Sequence, residues 1–381
     1  MDVDAVSSLL GGLSPSQFMR RHWQKKPLLV RRAMPGFRPL LSRAQLFALA
    51  SQEAVQSRLV IQHPERAPGW TLRHGPFPRR ALPAVRQPNW TLLLQGVDLH
   101  DDAVHSLMNR FRFIPDARLD DVMISYATDG GGVGPHFDSY DVFLLQAHGR
   151  RRWRIGRQKN PCLQDGVPLK ILTQFAPEEE HVLEPGDMLY LPPGYAHDGI
   201  AVGECMTYSI GFRIPQRAEL ARELLHSLAE QAEDSVGPGL YRDPGQTAVA
   251  QPAQVPQAML AFANAALQAA LKDPHAVARG LGEYLTEPKS NVWFDPPEES
   301  AGEPDALRDH GLVLDRRTRM LWDEHHIFIN GESFKASGRD ARILRSLADT
   351  RSVSAAELRG LSKGARTLVQ DWWLAGWMRR V

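Results

Sequence analysis

The sequence predicts an α+β protein with a β-sandwich or β-barrel first, an α-helical segment second and a smaller module of strands and helices last. Three observations support this order. Short apolar runs separated by glycine, proline and aspartate fill residues 90–213. Apolar side chains recur at helical spacing between residues 216 and 287, and strand patterns followed by helical patterns occupy the rest. We therefore expect domains at residues 1–214, 215–289 and 290–381.

The composition is that of an ordinary globular protein, with 43% hydrophobic and 23% charged residues among 381. The net charge of +1 excludes a global attraction to nucleic acid or to a membrane surface. Two cysteines, Cys162 and Cys205, cannot form a disulfide framework. The acidic start lacks the pattern of a secretion signal, and no run approaches the ~20 apolar residues of a membrane span. We expect no membrane partner and a cytoplasmic location.

The first domain contains a helix start and a series of short strands. Ser14-Pro15 is a helix-start signal, and residues 27–30 have the pattern of a buried strand. The apolar runs that predict the β-sandwich or barrel are residues 90–94, 122–126, 142–145, 153–155, 188–191 and 206–212. A turn is expected at His148-Gly149, between the third and fourth of these runs.

The middle segment has two apolar stripes at helical spacing. They consist of Leu220, Leu224, Leu225 and Leu228, and of Met259, Phe262, Ala266 and Ala270. One stripe is able to pack on the barrel and the other on a second subunit, which predicts a homodimer. The pattern alone leaves burial inside one chain equally open.

The last module resembles a winged helix. Asn330-Gly331 after an apolar run predicts a tight hairpin, and Ser354 with Glu357 fits a capping box at a helix start. A final Trp-Met-Arg-Arg segment reads as a terminal strand. The arginines of this module are interleaved with acids, which favours a structural or protein-binding role over DNA binding.

A metal site is predicted from His136, Asp138 and His197. On a strand, side chains two residues apart share a face, so His136 and Asp138 can bind one ion. His197 follows a Leu-Pro-Pro-Gly turn and supplies the third ligand. Two imidazoles and one carboxylate on one side of an octahedral ion are typical of non-heme Fe(II) oxygenases. The alternative is that His197 is a polar loop residue and His136 caps a strand.

Arg151 and Ser125 are the predicted ligands of an oxoacid. If Trp153 and Ile155 face the interior, the period of a strand turns Arg151 inward too, where its guanidinium can hold a carboxylate. The same parity makes Ser125 a hydroxyl donor to the oxoacid, with a plain strand serine as the alternative. Solvent-exposed arginines would be the other interpretation of residues 150–152.

These motifs resemble the JmjC-type oxygenases, within the cupin-like double-stranded β-helix (jelly-roll) superfamily. The chain is most similar to the bacterial ribosomal oxygenases that hydroxylate an arginine of large-subunit ribosomal protein sixteen. The matching segments are residues 18–28, 132–143, 149–153, 183–194 and 208–213. The resemblance extends over the whole chain and implies a JmjC domain, a helical dimerisation region and a C-terminal winged helix.

The resemblance implies Fe(II) held by His136, Asp138 and His197, with 2-oxoglutarate and O2 as cosubstrates and Arg151 as the cation for oxoglutarate. Tyr140 and Asp141 follow the ligand segment and are candidate substrate-binding residues, Asp141 as partner of a guanidinium or else as a turn acid. The expected substrate is an arginine of a large-subunit ribosomal protein. Histidine hydroxylation, N-methyl-lysine demethylation and a non-catalytic cupin and winged-helix regulator remain alternatives.

Overall fold

The structure, a computed structural model, describes residues 2–66, 69–159, 161–297 and 310–381. It divides into two compact units, Met1–Ile214 and Pro215–Val381, each with a hydrophobic core of its own. Across the described residues, every helix is too short or too polar to traverse a lipid bilayer. The architecture is α+β, as the sequence predicts.

The helices of the first unit start at side-chain caps. Before α1 (Pro15–Arg21), the Ser14 hydroxyl accepts from the Gln17 backbone N–H, and the Gln17 side chain accepts from the Ser14 N–H. Ser42 caps α2 (Arg43–Leu49) in the same way, and Asp101 caps α3 (Asp102–Asn109). Such caps satisfy N–H groups that have no partner within the first turn. The helix start predicted at Ser14 is confirmed.

The strands of the first unit form one antiparallel sheet in the order β1-β8-β6-β9-β5-β4-β2-β3, and β7 also pairs with β6. Their bounds are β1 (Leu28–Val30), β2 (Ser57–Gln62), β3 (Trp70–His74), β4 (Trp90–Leu94), β5 (Leu119–Ala127), β6 (Val142–Gly156), β7 (Glu179–Leu183), β8 (Met188–Leu191) and β9 (Ala196–Phe212).

The long strands β6 and β9 fold this sheet into a double-stranded β-helix. They pair with each other over most of their length, while the other edge of β6 takes β8 first and β7 further on. The turn predicted at His148-Gly149 is wrong, because β6 runs through it and only shifts register there. Gly149 has φ +59°, and a Cβ would lie 2.0 Å from the Glu204 carbonyl oxygen. A bulge therefore replaces the turn.

The side chains of β5 point alternately into the core and into a cavity. Val122, Ile124 and Tyr126 are fully buried in the core of the first unit. Asp121, Met123 and Ser125 have the opposite parity and line a cavity. The inner face of the sheet is therefore available for a site.

The second unit starts with helices and continues with small sheets and further helices. The helices are α4 (Arg217–Glu230), α5 (Ala232–Val236), α6 (Gln257–Ala270), α7 (Ala276–Thr286), α8 (Gly338–Thr350), α9 (Ala355–Arg359) and α10 (Lys363–Leu374). The strands are β10 (Leu312–Leu314), β11 (Met320–Trp322), β12 (His326–Ile329), β13 (Glu332–Lys335), β14 (Ser352–Val353) and β15 (Met378–Arg380).

Two local predictions for this unit are confirmed. Asn330 and Gly331 join β12 to β13 with φ of +48° and +89°, as a tight hairpin requires. Ser354 and Glu357 form the expected capping box at α9. Trp372 of α10 and Leu344 of α8 pack with the sheets in one core, which gives the strand-and-helix module its compactness.

Candidate metal centre

The structure brings together the three residues that the sequence singled out as metal ligands. One ligand atom each from His136, Asp138 and His197 lies within 4.8 Å of the other two. The Asp138 Oδ2 atom is 3.6 Å from His197 Nε2, and the two imidazole centroids are 4.3 Å apart. This spacing suits three ligands that share one ion, because donor atoms on a common ion lie only a few ångströms apart.

The convergence arises because the glycine-rich segment runs beside the first part of β9. The His136 N–H donates to the His197 carbonyl at 3.0 Å, and the His197 N–H donates back at 2.8 Å. A Cβ on Gly132 would lie 2.7 Å from the Gly199 carbonyl oxygen, so the approach requires glycine. The segment forms an isolated bridge at His136 rather than the regular strand that the sequence suggested.

Hydrogen bonds orient both imidazoles for metal binding. Nδ1 of His136 donates to the Gly134 carbonyl at 2.9 Å, and Nδ1 of His197 donates to the Tyr195 carbonyl at 3.0 Å. A carbonyl only accepts, so each Nδ1 carries the proton and each Nε2 keeps its lone pair. Burial, followed by the neighbouring His136, lowers the pKa of His197 to about 4. The ring is therefore neutral at neutral pH, and the donor set fits a divalent transition metal.

Arg151 lies inside the cavity beside this cluster. Its side chain is buried, with Nη1 donating to Ser125 Oγ at 2.9 Å and to Thr207 Oγ1 at 3.3 Å, and Nη2 donating to the Gly199 carbonyl at 3.3 Å. In the part of the chain that the structure describes, no carboxylate pairs with this guanidinium. An unpaired buried cation is costly, so the environment suits an anionic ligand.

Trp153 lies close to both the guanidinium and the metal cluster. The Arg151 Cζ atom lies 5.2 Å from the centroid of the Trp153 ring, which is 5.8 Å from the His197 ring. Arg154 points the other way and pairs with Asp198. The inward and outward faces predicted for this strand are confirmed, and the candidate anion and metal sites are neighbours.

A cavity of about 480 Å³ joins these groups to the surface. Tyr140 and Asp121 line it, and Asp121 Oδ2 accepts from Gln95 Nε2 at 2.6 Å and from the Gly96 N–H at 2.9 Å. Enclosure of the hydroxyl raises the pKa of Tyr140, and the carboxylates of Asp138 and Asp121 raise it further. The cavity therefore combines a metal cluster, a guanidinium and a wall with charges of both signs, since Asp120, Arg58 and Lys170 also line it.

The chain matches two family models, a JmjC domain over residues 106–220 and a ROXA-like winged helix over residues 269–379. It is 36% identical over 348 residues to the ribosomal protein uL16 3-hydroxylase of Escherichia coli, and the match covers 89% of each protein. This chain belongs to the JmjC ribosomal oxygenases. The resemblance predicted from its motifs is thereby confirmed.

Solved structures agree with this membership. An X-ray structure of Escherichia coli YcfD superposes with a TM-score of 0.82 at 31% identity, covering 97% of this chain and 98% of the other. YcfD, described as a ribosomal oxygenase, in complex with cobalt and 2-oxoglutarate superposes with a TM-score of 0.79. This ribosomal oxygenase thus has the JmjC fold and the winged helix expected from its sequence.

Asp141 is a correction to the predicted site of this ribosomal oxygenase. The sequence suggested that Asp141 stands at the pocket mouth, but its side chain is fully buried outside the cavity lining. The Tyr190 hydroxyl donates to it at 2.6 Å, Gln24 Nε2 at 3.1 Å and Arg118 Nη2 at 3.3 Å. Asp141 therefore stabilises the contact between the N-terminal segment and the sheet.

Asp121 is a buried acid of the cavity that the sequence analysis missed. The parity argument that selected Ser125 applies to Asp121 as well, because residues two and four apart on a strand share a face. The signal was therefore present in the sequence. Asp141 was favoured instead because it follows the ligand segment directly. It is near the ligands in sequence, but its side chain does not reach the cavity.

Proposed function

We propose that this ribosomal oxygenase uses Fe(II), 2-oxoglutarate and O2 to hydroxylate an arginine side chain of a large-subunit ribosomal protein. One observation carries the proposal: a cluster of two imidazoles and a carboxylate shares a cavity with a buried guanidinium that no described carboxylate neutralises. The similarity to the uL16 3-hydroxylase of Escherichia coli supports the choice of ribosomal substrate.

His136, Asp138 and His197 would hold the iron, and Arg151 with Ser125 would hold the distal carboxylate of 2-oxoglutarate. With both cosubstrates present, the iron supplies chemistry that converts 2-oxoglutarate and O2 to succinate and CO2 and leaves one oxygen atom on the substrate carbon. The chain itself orients the reactants. The backbone carbonyls fix the imidazole tautomers, and Arg151, 5.2 Å from the Trp153 ring, fixes the oxoacid next to the iron ligands.

Tyr140 and Asp121 would contact the substrate side chain. A guanidinium is planar and cationic, so it pairs well with a carboxylate and with an aromatic face. Asp121 offers the carboxylate, and Tyr140, which lines the same cavity, offers the ring. Both residues are near enough to interact electrostatically, since Asp121 contributes to the raised pKa of Tyr140. At that position the Asp121 carboxylate favours a cationic side chain over a neutral one.

We further propose that the protein is a homodimer and acts in the cytoplasm, where ribosomal proteins are assembled. The support for the dimer is a set of exposed apolar side chains on the helices of the second unit. These are Leu225 of α4, Met259, Leu260, Phe262 and Leu267 of α6, and Leu271 after it. Several exposed large apolar side chains on one helix, as on α6, are typical of a protein interface.

The function is tested by mass spectrometry of large-subunit proteins from cells with and without this gene. We expect uL16 to gain the mass of one oxygen atom on an arginine only when the gene is present. The purified enzyme should modify a uL16 peptide while producing succinate. A His136→Ala variant that still turns over 2-oxoglutarate would contradict the proposed centre.

The same assays separate the alternatives. A histidyl hydroxylase adds one oxygen atom to histidine, and a demethylase removes the mass of one methylene group from a methylated lysine peptide. A DNA-binding regulator produces no succinate. Nucleic-acid binding as the primary role is disfavoured by the net charge of +1, which provides little release of counterions.

A further inference from the structure

A second group of imidazoles lies in the Pro215–Val381 unit. His275 directly precedes α7, and His325 and His326 stand at the start of β12. The centroids of the His275 and His325 rings are 4.2 Å apart, and His326 lies 6.0 Å from the first and 6.3 Å from the second. The shortest spacing resembles the 4.3 Å between the imidazoles of the catalytic centre. None of these three residues has a role in the proposed reaction.

His326 is prepared as a ligand by Asp323. Nδ1 of His326 lies 3.3 Å from both carboxylate oxygens of Asp323, so Nδ1 donates its proton there and Nε2 keeps a lone pair. The backbone N–H groups of His325 and His326 fix the carboxylate at 2.7 and 2.6 Å. A carboxylate on the far nitrogen of an imidazole is the usual second contact of a metal-binding histidine.

Nε2 of His326 has no hydrogen-bond partner among the residues that the structure describes. Only 2% of the residue is exposed, and its Nε2 atom is buried without a hydrogen bond. A buried acceptor that forms no bond costs free energy, and most such atoms in folded proteins are satisfied. A cation bound at Nε2 removes this cost.

The other two imidazoles are accessible to an ion. His325 is exposed and His275 is half-buried, and neither ring forms a hydrogen bond with another described residue. Three imidazole nitrogens on one tetrahedral ion lie about 3.4 Å apart. Among the described residues, only the catalytic cluster already has three ligand atoms within 4.8 Å of one another, so the accessible His325 and His275 rings must rotate toward Nε2 of His326 to complete the set. Rotation of an exposed side chain is fast and inexpensive.

We propose that His275, His325 and His326 form a second metal site, which binds Zn²⁺ with three imidazoles and one water. Neutral nitrogen ligands suit zinc and disfavour Mg²⁺ and Ca²⁺, which prefer oxygen. The carboxylates of Asp323 and Asp273 lie beside the histidines, and Asp273 accepts the His275 backbone N–H at 2.9 Å. The ion joins the start of α7 to the turn that precedes β12.

The test measures zinc bound to the untagged full-length chain after equilibration with Zn²⁺ and desalting. We expect two zinc ions per chain in the parent and one in the His275→Gln and His325→Gln variants. The pair His136→Ala and Asp138→Ala, combined in one chain, should also retain one. His226→Gln is the control, since His226 is an exposed histidine of α4 in the same unit and should leave two ions bound.

Co²⁺ provides an independent readout that does not depend on activity. A three-imidazole site with one water gives the intense visible absorption of tetrahedral Co²⁺, and this band should persist when the catalytic ligands are removed. Both surface variants leave the buried His326 intact, so they should fold as the parent does. Circular dichroism checks this. One zinc per parent chain, or an unchanged second zinc in His275→Gln and His325→Gln, would overturn the proposal. Neither result depends on whether the proposed hydroxylase activity is found.

Discussion

Arg151 has two neighbouring arginines in the sequence, yet its surroundings differ from theirs. It is 3% exposed and reaches Ser125, whereas Arg150 is exposed on the other face of the strand. We predict that Arg151→Ala weakens 2-oxoglutarate binding about 10- to 150-fold, because hydrogen bonds to a charged group contribute about 1.5–3 kcal/mol. Titration calorimetry with 2-oxoglutarate measures this loss.

Arg150→Ala is the control for that change. An exposed substitution alters free energy by about 0.5 kcal/mol or less, so affinity should change about twofold at most. If Arg150→Ala weakened binding as much as Arg151→Ala, the oxoacid would lie on the other face of the strand. Arg151→Lys keeps the charge without the planar fork and should fall between the parent and Arg151→Ala.

Asp121 and Asp141 are both buried acids, but they face different surroundings. Asp121→Asn removes one negative charge from the cavity and should raise KM for a uL16 peptide about 10- to 150-fold, as expected from about 1.5–3 kcal/mol for a charge-assisted contact. KM for 2-oxoglutarate should stay within about twofold of the parent value, since the residues around the oxoacid are unchanged. Steady-state kinetics with each substrate varied in turn provides the measurement.

Asp141→Asn should instead affect the stability of the protein rather than substrate binding. The amide meets the donors Gln24 and Arg118 where the carboxylate accepted from them, which costs about 1–3 kcal/mol. We expect a lower unfolding temperature, by about 2–4 °C for each kcal/mol, with the peptide KM nearly unchanged. A large rise in peptide KM without loss of stability would return Asp141 to the substrate site.

At the scale of elements, the close pairing of β6 with β9 beside the site requires a glycine at residue 199. Gly199 stands opposite Trp153, and a Cβ there would lie 2.6 Å from the indole ring. Gly199→Ala must displace Trp153, so it should destabilise the protein by about 1–3 kcal/mol. Because the Gly199 carbonyl also accepts from Arg151, affinity for 2-oxoglutarate should fall with it.

Thermal unfolding and 2-oxoglutarate titration measure both effects. Gly364→Ala serves as the control, because a Cβ at Gly364 of α10 would have no described atom within 4 Å. Alanine is favoured over glycine in a helix by up to about 1 kcal/mol, so this variant should be as stable as the parent or more so. Equal losses in both variants would exclude the Trp153 contact as the cause.

At the scale of the whole molecule, we predict that the α6 surface mediates dimerisation. Leu267 is 65% exposed, so a charge there should leave the fold of one chain intact. Leu267→Glu is expected to convert a dimer to a monomer, since a glutamate pair buried at the interface would be desolvated without a partner. Light scattering after gel filtration measures the molar mass. Val182→Glu, on the exposed edge of β7, should remain dimeric.

The sequence by itself determined the parts of this protein that depend on local or periodic patterns. The alternation of β6 placed Arg151, Trp153 and Ile155 on the inner face, because side chains on a strand alternate. The caps at Ser14 and Ser354 followed from side-chain bonding to the nearest N–H groups. The motifs also identify the oxygenase family, since its ligands and turns occur at fixed spacing.

Tertiary structure alone decided which groups meet across the sheet. Asp141, next to a ligand in sequence, is buried against Tyr190, Gln24 and Arg118, which come from distant parts of the chain. The bulge at Gly149 depends on the Glu204 carbonyl of a paired strand, so no local pattern distinguishes it from a turn. Such contacts join residues that are far apart in the chain, so they exist only when the sheet is folded.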